Sequence, residues 1–313
     1  RATTIKGGAG SDSISLHGGA NDLVLNVFSG DSLFGGTGAD SLTFTGSVVG
    51  GSVSAGSGAD SIVMSGTRTS GTAGVTIDMG AGADKVLFTT SSENDLVKVS
   101  NATVTGNKTI TYQEAAASAT ITTGSGGDSI TFEKALTGAN SITTNSGNDS
   151  VRFLNDADGV TADLGAGADS IYAAQLLQSN SNISGGAGAD TFFISTLSNS
   201  IIYGGADKDS VNISGGLYGS TVDFGAGNEA FTLTVHAQGS NIVGGSGNDT
   251  FVVSTAAAFT TSTLSGGVGN DSISFAQTLS GSSIFGGSGN DSITLAALVE
   301  AGAVVSADAG SDL

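Results

Sequence analysis

Cysteine, proline and tryptophan are absent from this chain, and only 12% of its 313 residues are charged. Without cysteine there is no disulfide framework and no thiol chemistry, but the absence assigns no compartment. Glycine is abundant, at 51 residues, yet with no proline and no strict triplet a collagen helix is excluded. The charge content lies well below the usual quarter. The apolar fraction of 38% is spread evenly, which argues for an ordered chain rather than a disordered tail. Basic residues are scarce: 9 against 28 acidic, a net charge of −19. That balance disfavours nucleic acid and anionic membrane surfaces as partners. No apolar run approaches the ~18 residues of a membrane-spanning helix, so no membrane insertion is expected. The chain begins "RATTIKGG", with neither an initiating Met nor a signal-peptide pattern, and reads as a segment of something longer.

What is present is a phrase. "GGSGNDTF" starts at Gly244, "GGVGNDSI" at Gly266 and "GGSGNDSI" at Gly286. Earlier copies are "GGAGSDSI" at Gly7, "GGTGADSL" at Gly35 and "GGAGADTF" at Gly185. The acidic residue that ends each glycine loop falls at Asp12, Asp22, Asp40, Asp60, Asp84, Asp128, Asp149, Asp169, Asp190, Asp209, Glu229, Asp249, Asp271, Asp291 and Asp312. From Asp128 onward the steps are 21, 20, 21, 19, 20, 20, 22, 20 and 21. A period of about twenty held this long marks a repeat architecture. The interval from Asp84 to Asp128 is 44 residues, room for one degenerate coil around "ATVTGNKTITY".

Each loop runs into an alternating segment, such as Ser129-Ile130-Thr131-Phe132 or Ser272-Ile273-Ser274-Phe275. Two apolar residues at spacing two make a short strand with one dry face. A second short strand precedes each loop, for example Asn182-Ile183-Ser184. A unit of loop, strand, variable turn and strand cannot bury its apolar side alone, but stacked units can. The expected fold is all-β: a right-handed parallel β-roll or β-helix solenoid, about 20 residues per coil, with one Asp-bearing glycine loop per coil. Some fifteen coils at ~4.8 Å spacing would extend roughly 70 Å. Residues 1–313 read as one continuous solenoid, degenerate around 85–127. "YQEAAASAT" at Tyr112 is the one tempting helical window.

Stacking places the carboxylates in a column. Like charges at ~5 Å repel by roughly 1 kcal/mol per pair even at water's dielectric, and by more when desolvated. A cation between successive loops relieves this, and carboxylates with backbone carbonyls are hard oxygen ligands suited to Ca²⁺. These loops resemble the nonapeptide G-G-x-G-x-D-x-U-x of the RTX (repeats-in-toxin) family, where U is a large apolar residue. The resemblance covers nearly the whole chain. It implies calcium bound between adjacent coils, export by type I secretion and folding in extracellular calcium. Placed on this sequence, it makes Asp12, Asp40, Asp60, Asp84, Asp128, Asp149, Asp169, Asp190, Asp209, Asp249, Asp271 and Asp291 the side-chain metal ligands. In the ordinary family roll both turns of a coil carry the motif. Here one does, so calcium is expected along one edge and a metal-free edge opposite. Glu229 replaces Asp, Asn145 and Leu164 replace loop glycines, and "GGAND" at Gly18 is one residue short.

The plain alternative for the aspartates is Asx-turn capping, which Asn or Ser would perform without charge. His17 and His236 are isolated, and the tyrosines form no obvious sugar-stacking platform in the sequence. The scattered basic residues build no acid/base cluster, so no enzyme is expected. The leading reading is a secreted, extracellular structural protein of a bacterial cell surface: a calcium-stiffened solenoid in a surface layer, filament or coat. Its expected partners are copies of itself and a cell-surface polysaccharide. The alternative is an adhesin, or the export and folding region of a larger secreted protein or enzyme. Ice binding calls for an outward Thr array, and the third loop position offers one Thr, Thr37.

Overall fold

Alternation of small polar and apolar residues is realised as short parallel strands. The computed structural model describes residues 3–4, 13–16, 18–66, 74–98, 105–254, 258–276, 278–296 and 298–312. Among these, every regular element is a β-strand. The chain forms two compact units, residues 1–155 and 156–313.

In the first unit one sheet stacks Asp22–Ser29, Ser41–Val49, Ser61–Met64, Lys85–Phe88, Thr109–Tyr112, Ser129–Phe132 and Ser150–Phe153, all parallel. The other stacks Ser32–Phe34, Ser52–Ser54, Thr76–Asp78, Leu96–Lys98, Thr120–Thr122 and Asn140–Thr143. In the second unit one sheet runs through Ser170–Gln178, Thr191–Ser198, Ser210–Tyr218, Ala230–Leu233, Thr250–Val253, Ser272–Phe275 and Ser292–Leu295. Its companion runs from Val160–Ala166 to Val304–Ala309. Each strand pairs with the equivalent strand of the next coil, so each unit is a parallel β-solenoid of roughly twenty residues per turn. The tempting window at Tyr112 is strand Thr109–Tyr112 followed by the two-residue strand Ala116–Ala117.

Register alignment converts the alternation into ladders. Leu42, Ile62, Val86, Ile110, Ile130 and Val151 occupy one position of successive coils, and all are buried. Two residues on, Phe44, Met64, Phe88, Tyr112, Phe132 and Phe153 form a second buried column. In the second unit Phe192, Val211, Phe231, Phe251 and Ile273 do the same. The core is thus narrow and repetitive, with large side chains meeting their counterparts in the coil above and below.

The pattern sets a sharp expectation for neighbouring residues. Phe192 is 1% exposed and Phe193 is 49% exposed. Phe192→Ala should lower the stability of the second unit by about 3–5 kcal/mol in urea unfolding, and Phe193→Ala by less than ~0.5 kcal/mol. Equal effects would mean that the pleat does not sort these side chains as described.

Candidate metal centre

The loop of residues 266–271 shows what each glycine does. Gly267 and Gly269 have φ of 112° and 143°, in the left-handed range that side chains resist. Gly266 has no such angle, and its need is space. A Cβ there would meet Asp271 Oδ2 and, at 2.5 Å, the Gly286 carbonyl oxygen of the next coil. Where the left-handed positions lack glycine, Asn145 (φ 66°) and Asp207 (φ 74°) adopt the angle instead, as short polar side chains can.

Within each unit the acidic residues form a buried column tied from coil to coil. The backbone N–H of Asp40 donates to Asp60 Oδ1 (2.8 Å), that of Asp190 to Asp209 Oδ1 (2.9 Å), and that of Asp271 to Asp291 Oδ1 (2.8 Å). The same bond links Asp60 to Asp84, Asp128 to Asp149, Asp169 to Asp190, Asp209 to Glu229, Glu229 to Asp249, Asp249 to Asp271 and Asp291 to Asp312. Asp40, Asp60, Asp84, Asp128, Asp149, Asp169, Asp190, Asp209, Glu229, Asp249, Asp271 and Asp291 are all at most 2% exposed. Asp12 lies outside the described residues. Asp22 is not in the column. Asn21 holds that position, donating its N–H to Asp40 Oδ1 (2.8 Å), while Asp22 is the exposed first residue of the following strand. Ser15 pairs with Phe34, so Leu16 aligns with Gly35, Gly18 and Gly19 are the third and fourth loop residues, and Asn21 is the sixth.

One oxygen of each carboxylate is therefore used and the other is the question. At Asp40, Asp60, Asp190, Asp209, Asp249, Asp271 and Asp291 the Oδ2 is buried without a hydrogen-bond donor, as is Glu229 Oε1. Beside several of them lies another acceptor. The space at Gly286 is bounded by Asp291 Oδ2 (2.6 Å) and Ala307 O (2.7 Å). The space at Gly185 is bounded by Asp190 Oδ2 and Gly204 O (2.7 Å), and that at Gly204 by Asp209 Oδ2 and Phe224 O (2.8 Å). Gly35 and Gly244 stand in the same relation to Asp40 and Asp249. Two oxygens facing one small space, with no proton between them, form a cradle for a cation rather than for water-free packing. No cluster of three or more carboxylates or imidazoles forms among the described residues. Each cradle joins one carboxylate to backbone carbonyls, a hard, all-oxygen set suited to calcium.

Other coils fill this space. The first loop residue is Ala55 before Asp60, Met79 before Asp84, Thr123 before Asp128, Thr144 before Asp149, Leu164 before Asp169 and Phe224 before Glu229, each side chain buried. Open cradles therefore belong to Asp40, Asp190, Asp209, Asp249, Asp271 and Asp291. At Asp84 the second oxygen is taken by the ammonium of Lys108, at 2.5 Å. Lys108 stands at the column position of the degenerate coil, and its N–H donates to Asp128 Oδ1 (2.6 Å). The spacing of acidic residues does not reveal it; its place 20 residues before Asp128, ahead of the alternating Thr109–Tyr112, is the available signal.

The opposite edge has the same coil-to-coil bond and a different outcome. In the second unit the N–H of Ser181 donates to Ser200 Oγ (3.1 Å), Ser200 to Ser220 (3.2 Å), Ser220 to Ser240 (3.2 Å) and Ser240 to Ser262 (3.1 Å). Each hydroxyl then donates to its own turn, as Ser200 does to Ser198 O (2.8 Å) and Ser220 to Tyr218 O (2.8 Å). Nothing is left over. In the first unit Asp95 and Asn140 play this part for Val75 and Ala119.

Burial raises the carboxyl pKa values. Desolvation pushes Asp190 and Asp271 up to about 6 and Asp209 and Glu229 to about 7, opposed by the backbone N–H bond each accepts. Asp60, Asp128 and Asp249 are raised for the same first cause, with the Thr123 hydroxyl opposing the rise at Asp128.

A model of the RTX calcium-binding nonapeptide repeat matches residues 2–26, 29–43, 134–160, 178–193, 240–253 and 282–297. The unmatched stretches 44–133 and 194–239 contain Lys108 and, in the second, Asp207 and Glu229. No curated protein matches the chain. Among solved structures it is similar to a hyperactive, Ca²⁺-dependent, β-helical antifreeze protein from an Antarctic bacterium. The identity is 18%, covering 94% of this chain and 82% of that one, with a TM-score of 0.59. That likeness is one of fold. The matched repeats are of a calcium-binding type, and the cradles here fit that ion.

Two outcomes follow. Acids whose pKa is higher folded than unfolded stabilise the metal-free protein below the ordinary values, 3.8 and 4.5, and cease to do so as pH rises through the folded values near 6 to 7. In chelator, Tm should fall between pH 5 and 7.5, and saturating calcium should flatten the decline; a chelated Tm that climbs over this range contradicts the burial effect. Asp271→Asn keeps the acceptor for Asp249 N–H and removes the charge. It should be more stable than wild type in chelator at pH 7.5 and bind one calcium fewer by equilibrium dialysis. An unchanged count would make Asp271 a turn cap.

Proposed function

We propose that this chain, built of RTX calcium-binding nonapeptide repeats, is an extracellular structural solenoid of a bacterial surface layer, filament or coat, which calcium stiffens along one edge. The observation that carries this is the column of buried carboxylate oxygens facing backbone carbonyls with no proton donor between them. Asp40, Asp190, Asp209, Asp249, Asp271 and Asp291, with the loop carbonyls beside them, would hold the ions. The bound ion supplies charge neutralisation and a crosslink between successive coils. The net charge of −19 suits a protein that meets calcium outside the cell, and RTX repeat proteins are typically secreted.

Copies of the chain are the proposed partners. The net charge of −19 would keep copies apart until calcium neutralises it, which ties assembly to the ion. The proposed role uses no catalysis.

A specific observation favours the adhesin reading as the second. Tyr172 and Phe193 are register partners, 40% and 49% exposed, and Asn212 follows Phe193 in the next coil. With Ser195 and Ser214 they line a shallow depression of about 310 Å³. Paired aromatic faces beside amide and hydroxyl groups suit a saccharide. The tyrosines alone did not reveal this, because the second ring is a phenylalanine.

Circular dichroism and light scattering during a calcium titration, with magnesium as control, test the main reading. Calcium should increase β-structure or raise Tm, and assembly should appear in the same titration. Equal folding and mass in chelator and calcium would reject it. Calcium-dependent folding of a monomer that binds oligosaccharides, with binding lost in Phe193→Ala, would favour the adhesin.

A further inference from the structure

One coil of the first unit already has its cation, and that cation is a side chain. Lys108 is 1% exposed, and among the described residues it is the only buried basic side chain. Its ammonium reaches back one coil into the loop of residues 79–84. There it donates to Gly80 O (2.8 Å), Gly82 O (2.6 Å) and Asp84 Oδ2 (2.5 Å). An ammonium has three protons, and all three are used. Two of the acceptors are loop carbonyls, and the third is the carboxylate oxygen that has no donor in the open cradles. The donor chemistry is that of a metal cradle, two carbonyls and one carboxylate, with positive charge at its centre.

The position of the lysine makes this more than a stray ion pair. Lys108 stands in the column where the other coils place an acid. Its carbonyl accepts the N–H of Ser129 (2.8 Å), as Asp128 O accepts that of Ser150 (2.8 Å). Charge is therefore reversed at one rung, and the reversed rung neutralises its neighbour. Met79 fills the space beside Asp84 that glycine leaves open elsewhere. The same coils carry a close aromatic stack. Phe88 and Tyr112 rings are 4.3 Å apart and 5° from parallel, followed by Tyr112–Phe132 at 5.0 Å and Phe132–Phe153 at 5.7 Å.

We propose that Lys108 replaces one bound cation, so that the loop of residues 79–84 takes no calcium and the paired strands Lys85–Phe88 and Thr109–Tyr112 hold together without it. Asp84 thereby leaves the set of metal ligands. The proposal rests on the calcium reading of the other loops.

The test compares full-length wild type with Met79→Gly/Lys108→Asp, which reopens the space beside Asp84 and restores an acid to the column, and with Lys108→Met, which removes the charge at similar length. Bound calcium is counted by equilibrium dialysis, and amide exchange is followed in chelator. In the wild type, amides of Thr109–Tyr112 should stay protected in chelator while those of Ser272–Phe275 exchange. In both variants the Thr109–Tyr112 amides should exchange roughly 10- to 100-fold faster in chelator, as expected for losing charged hydrogen bonds. Calcium should restore protection in Met79→Gly/Lys108→Asp, with one more ion bound per chain than in wild type. Should that double variant not fold, the exchange result for Lys108→Met decides alone. Unchanged exchange in chelator, or an unchanged calcium count in a folded double variant, overturns the proposal while leaving calcium binding by the other loops intact. A wild type that binds no calcium overturns both.

Discussion

The bond on which the loop edge depends is the one from a backbone N–H to the carboxylate of the next coil. It fixes the height of each coil over its neighbour, and it does so with an acid whose second oxygen has nowhere to go. An uncharged acceptor would make the same bond, as the serine edge of the second unit demonstrates. Choosing acids instead leaves a column of desolvated negative charge, which opposes folding unless positive charge arrives. Most of what is distinctive here answers that one problem. The first loop glycine leaves space for an ion, buried side chains close the space in other coils, and a lysine brings a charge of its own.

The two edges form a controlled comparison inside one molecule. Both corners use a side-chain oxygen from the next coil. The serine hydroxyl closes its own account by donating to the turn carbonyl two or three residues back. The carboxylate has no proton to give. The difference between a self-sufficient corner and an ion-requiring corner is one hydrogen atom per coil.

Much of the architecture was legible because the repeat multiplies every signal. The spacing of Asp128, Asp149, Asp169 and their successors was enough to place strands, loops and the buried column, and the alternation in Ser129-Ile130-Thr131-Phe132 was enough to assign its dry face. The errors came where a single coil departed from the pattern. Asp22 carries the charge, but the register puts Asn21 at the sixth loop position. A spacing of acids does not reveal Lys108, the residue that replaces one. The distinction between open and filled cradles depends on which atoms face the first loop residue, and only the stacked backbone shows that the Asp271 carboxylate and the Gly286 carbonyl share a space. The serine edge was invisible for another reason: serine is so common in this sequence that its periodic copies do not stand out.

The register has a kinetic meaning as well. Within each unit the strand pairings and the bonds along both edges join residues about twenty apart, whether a ladder of Phe and Ile, a carboxylate bond or a serine bond. Closing a loop of that length costs nearly the same free energy each time, because the penalty grows only with the logarithm of length. The first pair of coils bears this cost with few contacts to offset it, and each later coil docks on a template already in place. Folding of such a unit is growth from a seed, a polymerisation carried out by one chain on itself, in which the monomers arrive already joined and in order.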